Sequence, residues 1–233
     1  VVVVGGGPAG CEAARVAALR GHEVTLFEQG DALGGRANLA AMLAGREDLA
    51  AISIFYSTQL DKLGVEVRLD TAASPDSIAR LQPDVVVVAT GTRRTRPPVA
   101  GMELPHVYDV DTVIAEQPEL GRHVVVYDQE YHLAGSGTAE LLTTWGKQVT
   151  FVTDFHTAGA EIEINTQHLL HRGFAVNRVR VLTDTRIRQI EPRRVQVQNR
   201  YGSDPFHLEE VDAVVIANPG LPETSLYRQL KGR

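Results

Sequence analysis

The chain opens Val1-Val2-Val3-Val4-Gly5-Gly6-Gly7-Pro8-Ala9-Gly10, and the reading of these ten residues decides the fold. Four successive β-branched residues with no polar alternation read as a parallel strand buried on both faces. Gly5, Gly7 and Gly10 fit G-x-G-x-x-G. An Ala-rich helical stretch follows at once, from Pro8 to Arg20, with proline at an N-terminal position it tolerates and Gly21 as the stop. Strand, glycine turn and helix are the setting that the dinucleotide fingerprint requires. Gly5 permits the tight turn, Gly7 leaves the backbone open to a pyrophosphate, and Gly10 lets the helix lie close to the strand. Pro8 and Ala9 then form the helix N-terminus, where free N–H groups and the macrodipole favour an anion.

Glu23 to Glu28 reads as the second strand, and its last residue is an acid 18 residues past Gly10. The fold places an acid about 20 residues on to accept ribose hydroxyls. A carboxylate there binds a free 2′-hydroxyl and repels a 2′-phosphate, which selects FAD, NAD or ADP over NADP. In Asp31-Ala-Leu-Gly-Gly35-Arg36 the glycine pair gives a loop able to wrap a nucleotide. Arg36 either reaches the pyrophosphate or is a solvated loop side chain. Apolar residues from Glu47 to Leu63 recur at helical spacing, Val65 to Leu69 reads as a strand, and Ser74 to Leu81 as a capped helix. Asp84 to Gly91 is another buried strand whose small end, Ala89-Thr90-Gly91, lets the backbone pass beside a nucleotide. Arg93 to Pro98 is basic and proline-bearing, a hinge composition.

The pattern then repeats. Gly146-Lys-Gln-Val-Thr-Phe-Val matches Gly21-His-Glu-Val-Thr-Leu-Phe at a shift of 125 residues, and Val211 to Pro219 answers Pro83 to Gly91. Strands are expected at His123–Tyr127 and Gln148–Asp154, with a helix from Gly135 to Trp145 between them. At that shift Gly10 falls on Gly135, but Gly5 falls on Glu130, Gly7 on His132 and Glu28 on Thr153, with Asp154 adjacent; in the matching strand ends Gly91 becomes Pro219. Asp128 and Glu130 put carboxylates where phosphates would approach, so the second copy is expected to keep the scaffold with a weakened or absent dinucleotide site. Gly135-Ser-Gly137 still leaves a turn that could take a phosphate. Residues 185–191 and 193–199 alternate around a Glu-Pro turn and read as a hairpin, followed by a turn at Tyr201–Pro205. Arg186, Arg188, Arg193 and Arg194 either recognise a phosphate or line a solvated sheet face.

The 233 residues, 43% hydrophobic and 22% charged with a net charge of −6, describe an ordinary globular chain with no call for a nucleic-acid or membrane partner. A single cysteine, Cys11, excludes an internal disulfide, a C-x-x-C pair and a four-cysteine cluster held by this chain alone. It also favours a reducing, cytoplasmic location. Cys11 is either a thiolate stabilised at the helix start or a small buried filler. No leader is expected, since the chain opens in a core strand, and both ends read as those of a piece of a longer polypeptide.

Residues 1–36 and 83–91, with the altered second loop and the tail Pro222 to Leu230, resemble a family of multidomain flavoproteins. It includes trimethylamine, dimethylamine and histamine dehydrogenases and 2,4-dienoyl-CoA reductase. The resemblance implies an α/β chain of two Rossmann-like, glutathione-reductase-type three-layer modules with central parallel sheets and a β-meander. The implied division is an FAD/ADP-binding module at 1–99, a linker at 100–120, an NAD(P)-binding-like module at 121–220 and a tail at 221–233. Carried over, Gly5, Gly7, Pro8, Ala9 and Gly10 would hold the pyrophosphate, Glu28 the adenosine ribose, Gly35 and Arg36 would close over the nucleotide, and Thr90-Gly91 would pass beside it. In the reductase branch the ligand is FAD and the second module takes a nicotinamide nucleotide. In the amine dehydrogenase branch the first module holds ADP and electrons leave to an electron-transfer flavoprotein; the degraded second loop resembles this branch more. FMN and a 4Fe-4S cluster belong, in the family, to an N-terminal Old Yellow Enzyme-like barrel, which would be a partner domain and is absent from this sequence. The Gly-Asp strand that completes the family's flavin site is also missing. No catalytic or metal-binding residues are therefore expected here. Three roles follow: a nucleotide-binding part of an oxidoreductase supporting electron transfer, a structural ADP-binding docking module, or an NADH-dependent FAD reductase.

Overall fold

The computed structural model describes residues 1–202 and 204–232, so Ser203, within the expected 201–205 turn, and Arg233, at the end of the expected tail, lie outside the described residues. The chain forms two compact units, Val1–Arg93 with the segment from Gly220, and Arg94–Pro219.

In the first unit, β1 (Val2–Val4) leads into α1 (Pro8–Leu19), β2 (Thr25–Phe27), α2 (Arg36–Ala41), α3 (Ala50–Lys62), β3 (Glu66–Arg68), α4 (Pro75–Ala79), β4 (Val86–Val88) and β5 (Thr92–Arg94). The sheet order is β3-β2-β1-β4, all parallel. Strand alternation sorts the valines between two layers. Val3 packs with Cys11, Ala14, Leu26, Leu33 and Leu60 on the α1/α3 side, whereas Val2 and Val4 pack with Phe27, Ile78 and Leu226 on the other. The expected strand at 84–91 contracts to three half-buried residues because β4 is the edge of the sheet. Ser74 caps α4 reciprocally with Ser77, with N–H to Oγ distances of 3.1 and 2.8 Å.

The second unit is built from β6 (Val107–Asp109), α5 (Val110–Glu116), β7 (His123–Asp128), α6 (Leu133–Thr144), β8 (Gln148–Thr153), α7 (Ile164–Val176), β9 (Arg180–Leu182), β10 (Thr185–Glu191), β11 (Arg194–Asn199), β12 (Phe206–Glu209) and β13 (Ala213–Ala217). Its parallel sheet has the order β6-β13-β7-β8-β9. One face carries helices, with Phe151 of β8 against Phe174 of α7 at 5.3 Å between ring centroids. The other face is covered by the antiparallel meander β10-β11-β12, and Val125, Tyr127, Val152, Val214 and Ile216 of the sheet pack with Ile187, Ile190, Val195, Val197 and Leu208. Two Rossmann-like units with central parallel sheets and one meander are thus the architecture.

Three expected boundaries differ. Residues 100–120 are no linker: β6 and α5 lie there and bury Val107, Val110, Val113 and Ile114, with Asp109 capping α5 through Thr112 N–H at 2.9 Å. Residues expected as a tail form β14 (Gly220–Pro222) and α8 (Ser225–Leu230), and Leu226 and Leu230 enter the first unit's core beside Val2, Val4 and Phe27. Helix α6 starts at Leu133, two residues before Gly135. Among the described residues, no helix is long and apolar enough to cross a membrane, and no group of three or more His, Cys, Asp or Glu could hold a metal ion.

Candidate functional site

The first glycine loop joins β1 to α1 with three residues, and each glycine meets a different constraint. A Cβ at Gly10 would overlap the carbonyl oxygen of Gly5, so only glycine lets α1 sit this close to β1. Gly5 itself turns at φ +106°, with Ala89 of the β4 end against it. At Gly7, the N-cap of α1, an added Cβ would meet nothing within 4 Å. Nothing in the fold therefore demands glycine at position 7, and the space above it is open at the point where α1 presents its first-turn N–H groups. Pro8 and Ala9, exposed, form the rim.

Glu28 reaches back over this loop. Its Oε2 accepts the Gly6 N–H at 2.6 Å and its Oε1 accepts the Gly30 N–H at 2.7 Å. Each carboxylate oxygen keeps acceptor capacity for a further hydroxyl. A Cβ at Gly6 would lie 2.6 Å from Leu33 and 2.9 Å from Glu28, so the middle glycine, to which the fingerprint assigns no role, leaves room for these two side chains. The second loop closes on the first: Gly34 N–H donates to Gly6 O at 2.8 Å, and a Cβ at Gly35 would come within 3.2 Å of Gly7 Cα.

Arg36 and Thr90 have protein partners of their own. Arg36 starts α2 and donates to Thr92 Oγ1 at 2.9 Å and Thr92 O at 3.2 Å. Thr90 Oγ1 donates to Glu223 O at 2.8 Å, and Gly91, at φ +72°, accepts from Glu223 N–H at 2.9 Å. The structure thus gathers Gly5, Gly7, Pro8, Ala9, Gly10, Glu28 and Gly35 around one loop, and directs Arg36, Thr90 and Gly91 to the strand segments beside it. Cys11 is the buried filler: its thiol donates to Gly6 O at 3.1 Å, and burial, with the Glu28 charge adding, pushes it up to about 11.

The second loop corrects the simple offset. Strand register puts Val126 between Phe151 and Val215 as Val3 lies between Leu26 and Val87, so β7 follows β1 by 123 residues while α6 follows α1 by 125. The loop has gained two residues, and Gly5 corresponds to Asp128, not Glu130. His132 does stand at the N-cap, where Gly7 stands in the first unit. Asp128 is fully buried, and its Oδ1 accepts the N–H groups of Glu130 and Tyr131 at 3.2 and 3.3 Å. Burial lifts its carboxyl to about 7 against those bonds, with the charges of Glu130 and Asp154 lifting it further. A Cβ at Gly135 would lie 2.6 Å from Asp128 Oδ1 and 2.9 Å from Ala217, so the glycine retained there makes room for this carboxyl. Glu130 pairs with Arg94 at 2.7 Å, and Arg94 also pairs with Asp111 at 3.1 Å. The four arginines of the meander region each meet a different partner: Arg186 Asp154, Arg188 Gln198, Arg193 Asp212 and Arg194 Glu191.

A family model described as pyridine nucleotide-disulphide oxidoreductase matches residues 1–231. The N,N-dimethylglycine/sarcosine dehydrogenase of Chromohalobacter salexigens is 36% identical over 99% of this chain and 35% of its own length. Among solved structures, a 2-naphthoyl-CoA reductase superposes with a TM-score of 0.92 at 31% identity, over 100% of this chain and 35% of that one. The histamine dehydrogenase of Rhizobium sp. 4-9 superposes with a TM-score of 0.89 at 26% identity, over 98% and 37%. The chain spans about a third of the length of these relatives. With one cysteine, it holds no dithiol pair of its own. Its two parallel-sheet units, its glycine loop with an acid at the end of β2, and a match over nearly every residue agree: the chain belongs to the pyridine nucleotide-disulphide oxidoreductase family.

Proposed function

We propose that the first unit binds the adenosine diphosphate part of FAD, or ADP itself, and that the chain is the nucleotide-binding part of a larger FMN/4Fe-4S oxidoreductase of the amine-dehydrogenase or NADH:flavin type. The observation that carries this reading is the open space over Gly7, at the N-terminus of a 12-residue helix, with Glu28 reaching over the same loop. The residues present fit the group. The first-turn N–H groups of α1 would take the pyrophosphate, with Gly5, Gly7, Pro8, Ala9 and Gly10 leaving room for it. The Glu28 carboxylate would accept the ribose hydroxyls. Gly35 would border the phosphates, with Arg36, Thr90 and Gly91 to the side. FAD, when bound, supplies one- and two-electron redox chemistry. The protein's own work here is to bind, to orient and to reject a 2′-phosphate by charge.

The larger protein's partners on this reading are its barrel domain and an electron acceptor or donor such as an electron-transfer flavoprotein or NADH, in the cytoplasm. A purely structural ADP-binding role for docking other domains is the second reading. The arrangement supports it because what the loop offers is first-turn N–H groups and the Glu28 carboxylate, both of which bind a nucleotide. A third role, NADH-dependent FAD reduction, is disfavoured by Asp128 at the Gly5 position of the second loop. The test is to purify the chain, record its visible spectrum, and release and chromatograph any nucleotide. A flavin band supports FAD, and colourless protein releasing ADP supports the amine-dehydrogenase type. Protein that takes up no adenine nucleotide even in excess refutes the proposal.

A further inference from the structure

In the first unit, the path from a helix N-terminus to a strand-end acid runs from Gly7 to Glu28 and is bordered by glycine. The same path in the second unit runs from His132, at the N-cap of α6, to the acid just past β8, Asp154. One side chain lies along it. Tyr131 immediately precedes the N-cap, in a left-handed backbone conformation at φ +63°, and its phenol O–H donates to Asp154 Oδ1 at 2.8 Å. Its ring packs on Phe155 at 4.8 Å between centroids, which in turn meets His156 at 4.7 Å. The other Asp154 oxygen is taken by Arg186 at 3.1 Å, and the Asp154 carbonyl by Arg200 at 3.0 Å.

The backbone around Tyr131 is tied down as well. Its N–H and that of Glu130 both go to Asp128 Oδ1, its carbonyl accepts Glu161 N–H at 2.9 Å, and the Glu130 carboxylate is held by Arg94. A left-handed tyrosine is strained and persists only where its surroundings over-determine it. Four attachments from Asp128, Asp154, Glu161 and Phe155 do so here.

We propose that Tyr131 is a built-in surrogate for the adenosine end of a dinucleotide, and that with Asp128 it keeps the second unit closed to NAD(H). The phenol gives Asp154 the hydroxyl that a ribose would give it. The ring fills the way from α6 to that acid. The Asp128 carboxyl stands where the first unit has bare Gly5 backbone, and it takes loop N–H groups for itself. The reading rests on residues 94–219 alone. It goes beyond the function proposed for the first unit by assigning the second a closed site, so a nicotinamide nucleotide would not deliver hydride from this position.

The test titrates NADH fluorescence into the 233-residue chain in saturating ADP, alongside hydrogen exchange at the Glu130 and Tyr131 amides. NADH signal that ADP removes reports the first unit, and signal that survives ADP reports the second. Failure of ADP itself to bind counts against the proposed function and leaves the NADH reading of the second unit intact. The expected result is no saturable NADH signal up to about 1 mM, a weak-binding limit near −4 kcal/mol. The two amides should exchange slowly in the parent and rapidly in Asp128→Ala. Tyr131→Ala should bind NADH at least tenfold more tightly than the parent limit. Saturable NADH binding by the parent in ADP, free exchange at both amides, or a folded Tyr131→Ala chain no better at binding NADH than the parent would each overturn the proposal.

Discussion

Replacing Glu28 with alanine tests the site directly, because this carboxylate does two separable jobs. In the chain without nucleotide it accepts N–H groups from Gly6 and Gly30 at 2.6 and 2.7 Å. Gly6 is buried, so its N–H loses a charge-assisted partner with no water to replace it, at about 2 kcal/mol. Gly30 is partly exposed and water recovers much of the second bond. At roughly 4 °C per kcal/mol, Glu28→Ala should melt about 8 °C below the parent. The second job appears only with ligand. Two ribose hydroxyls donating to a carboxylate contribute about 3 kcal/mol together, so ADP affinity by calorimetry should fall on the order of 100-fold. Glu28→Gln keeps one acceptor oxygen but turns an NH2 towards the other N–H, and should lose affinity by roughly tenfold. An adenosine diphosphate bearing a 2′-phosphate should bind the parent poorly, and Glu28→Ala should narrow that discrimination as the repulsion disappears. ADP affinity within threefold of the parent in a Glu28→Ala chain of unchanged circular dichroism would refute the assignment of Glu28 to the ribose. A large loss of affinity with no change in melting would refute its first role, as a clamp on Gly6.

The glycines of the loop should separate by the same two readouts. Gly10→Ala drives a methyl into the Gly5 carbonyl and should cost about 3 kcal/mol of stability, read by denaturant titration. Gly7→Ala meets no protein atom within 4 Å, so the chain should melt as the parent does while losing ADP affinity in calorimetry. Cys11, buried with its thiol pushed up to about 11, should resist iodoacetamide at pH 8 in the folded chain and react on unfolding, followed by mass spectrometry. Asp128 should make the second unit less stable as pH rises. Its folded-state pKa, about 7, lies above the ordinary 3.8, so the folded chain binds the extra proton between those values. The contribution of Asp128 itself is then greatest below about pH 4, declines through pH 7 and is flat above. Asp128→Asn, which keeps an acceptor for Glu130 and Tyr131, should flatten that slope in melts recorded from pH 5 to 8.

Much of this was legible because the first unit states each choice locally. Val1 to Gly10, the stop at Gly21 and the acid at Glu28 agree on one β-α-β unit, and the structure builds it as read. The repeat was legible for the same reason, since Gly146 to Val152 copies the Gly21 stretch. What escaped lay where composition and position point apart. Residues 100–120 look like a linker because Gly101, Pro105 and Pro118 punctuate them, yet Asp109, three residues before Thr112, is a helix-cap signal that could have found α5. Helix α7 leaves Ile164, Leu169 and Val176 exposed, which blurs the apolar stripe a periodicity search needs. Arg94 sits in a basic, proline-bearing stretch and reads as solvated, but its side chain is 12% exposed between Asp111 and Glu130.

Asp128 shows the limit most sharply. A single offset of 125 aligns both helices and misaligns both strands before them, because two residues were gained inside the loop. The sequence comparison therefore sets the lost glycine on Glu130, a half-buried carboxylate that would act on phosphate only by repulsion. The register assigns it to Asp128, a buried carboxyl that takes the loop N–H groups. These are different physics. Repulsion between such a charge and a ligand is screened by salt and removed by neutralising one residue. A loop whose donors are already satisfied, and whose strand-end acid already holds a phenol, must break those bonds before any ligand can enter. The retained Gly135 fits the second account and not the first, since a Cβ there would collide with Asp128 itself. A glycine that once would have served close helix–strand packing now makes room for the side chain that closes the loop.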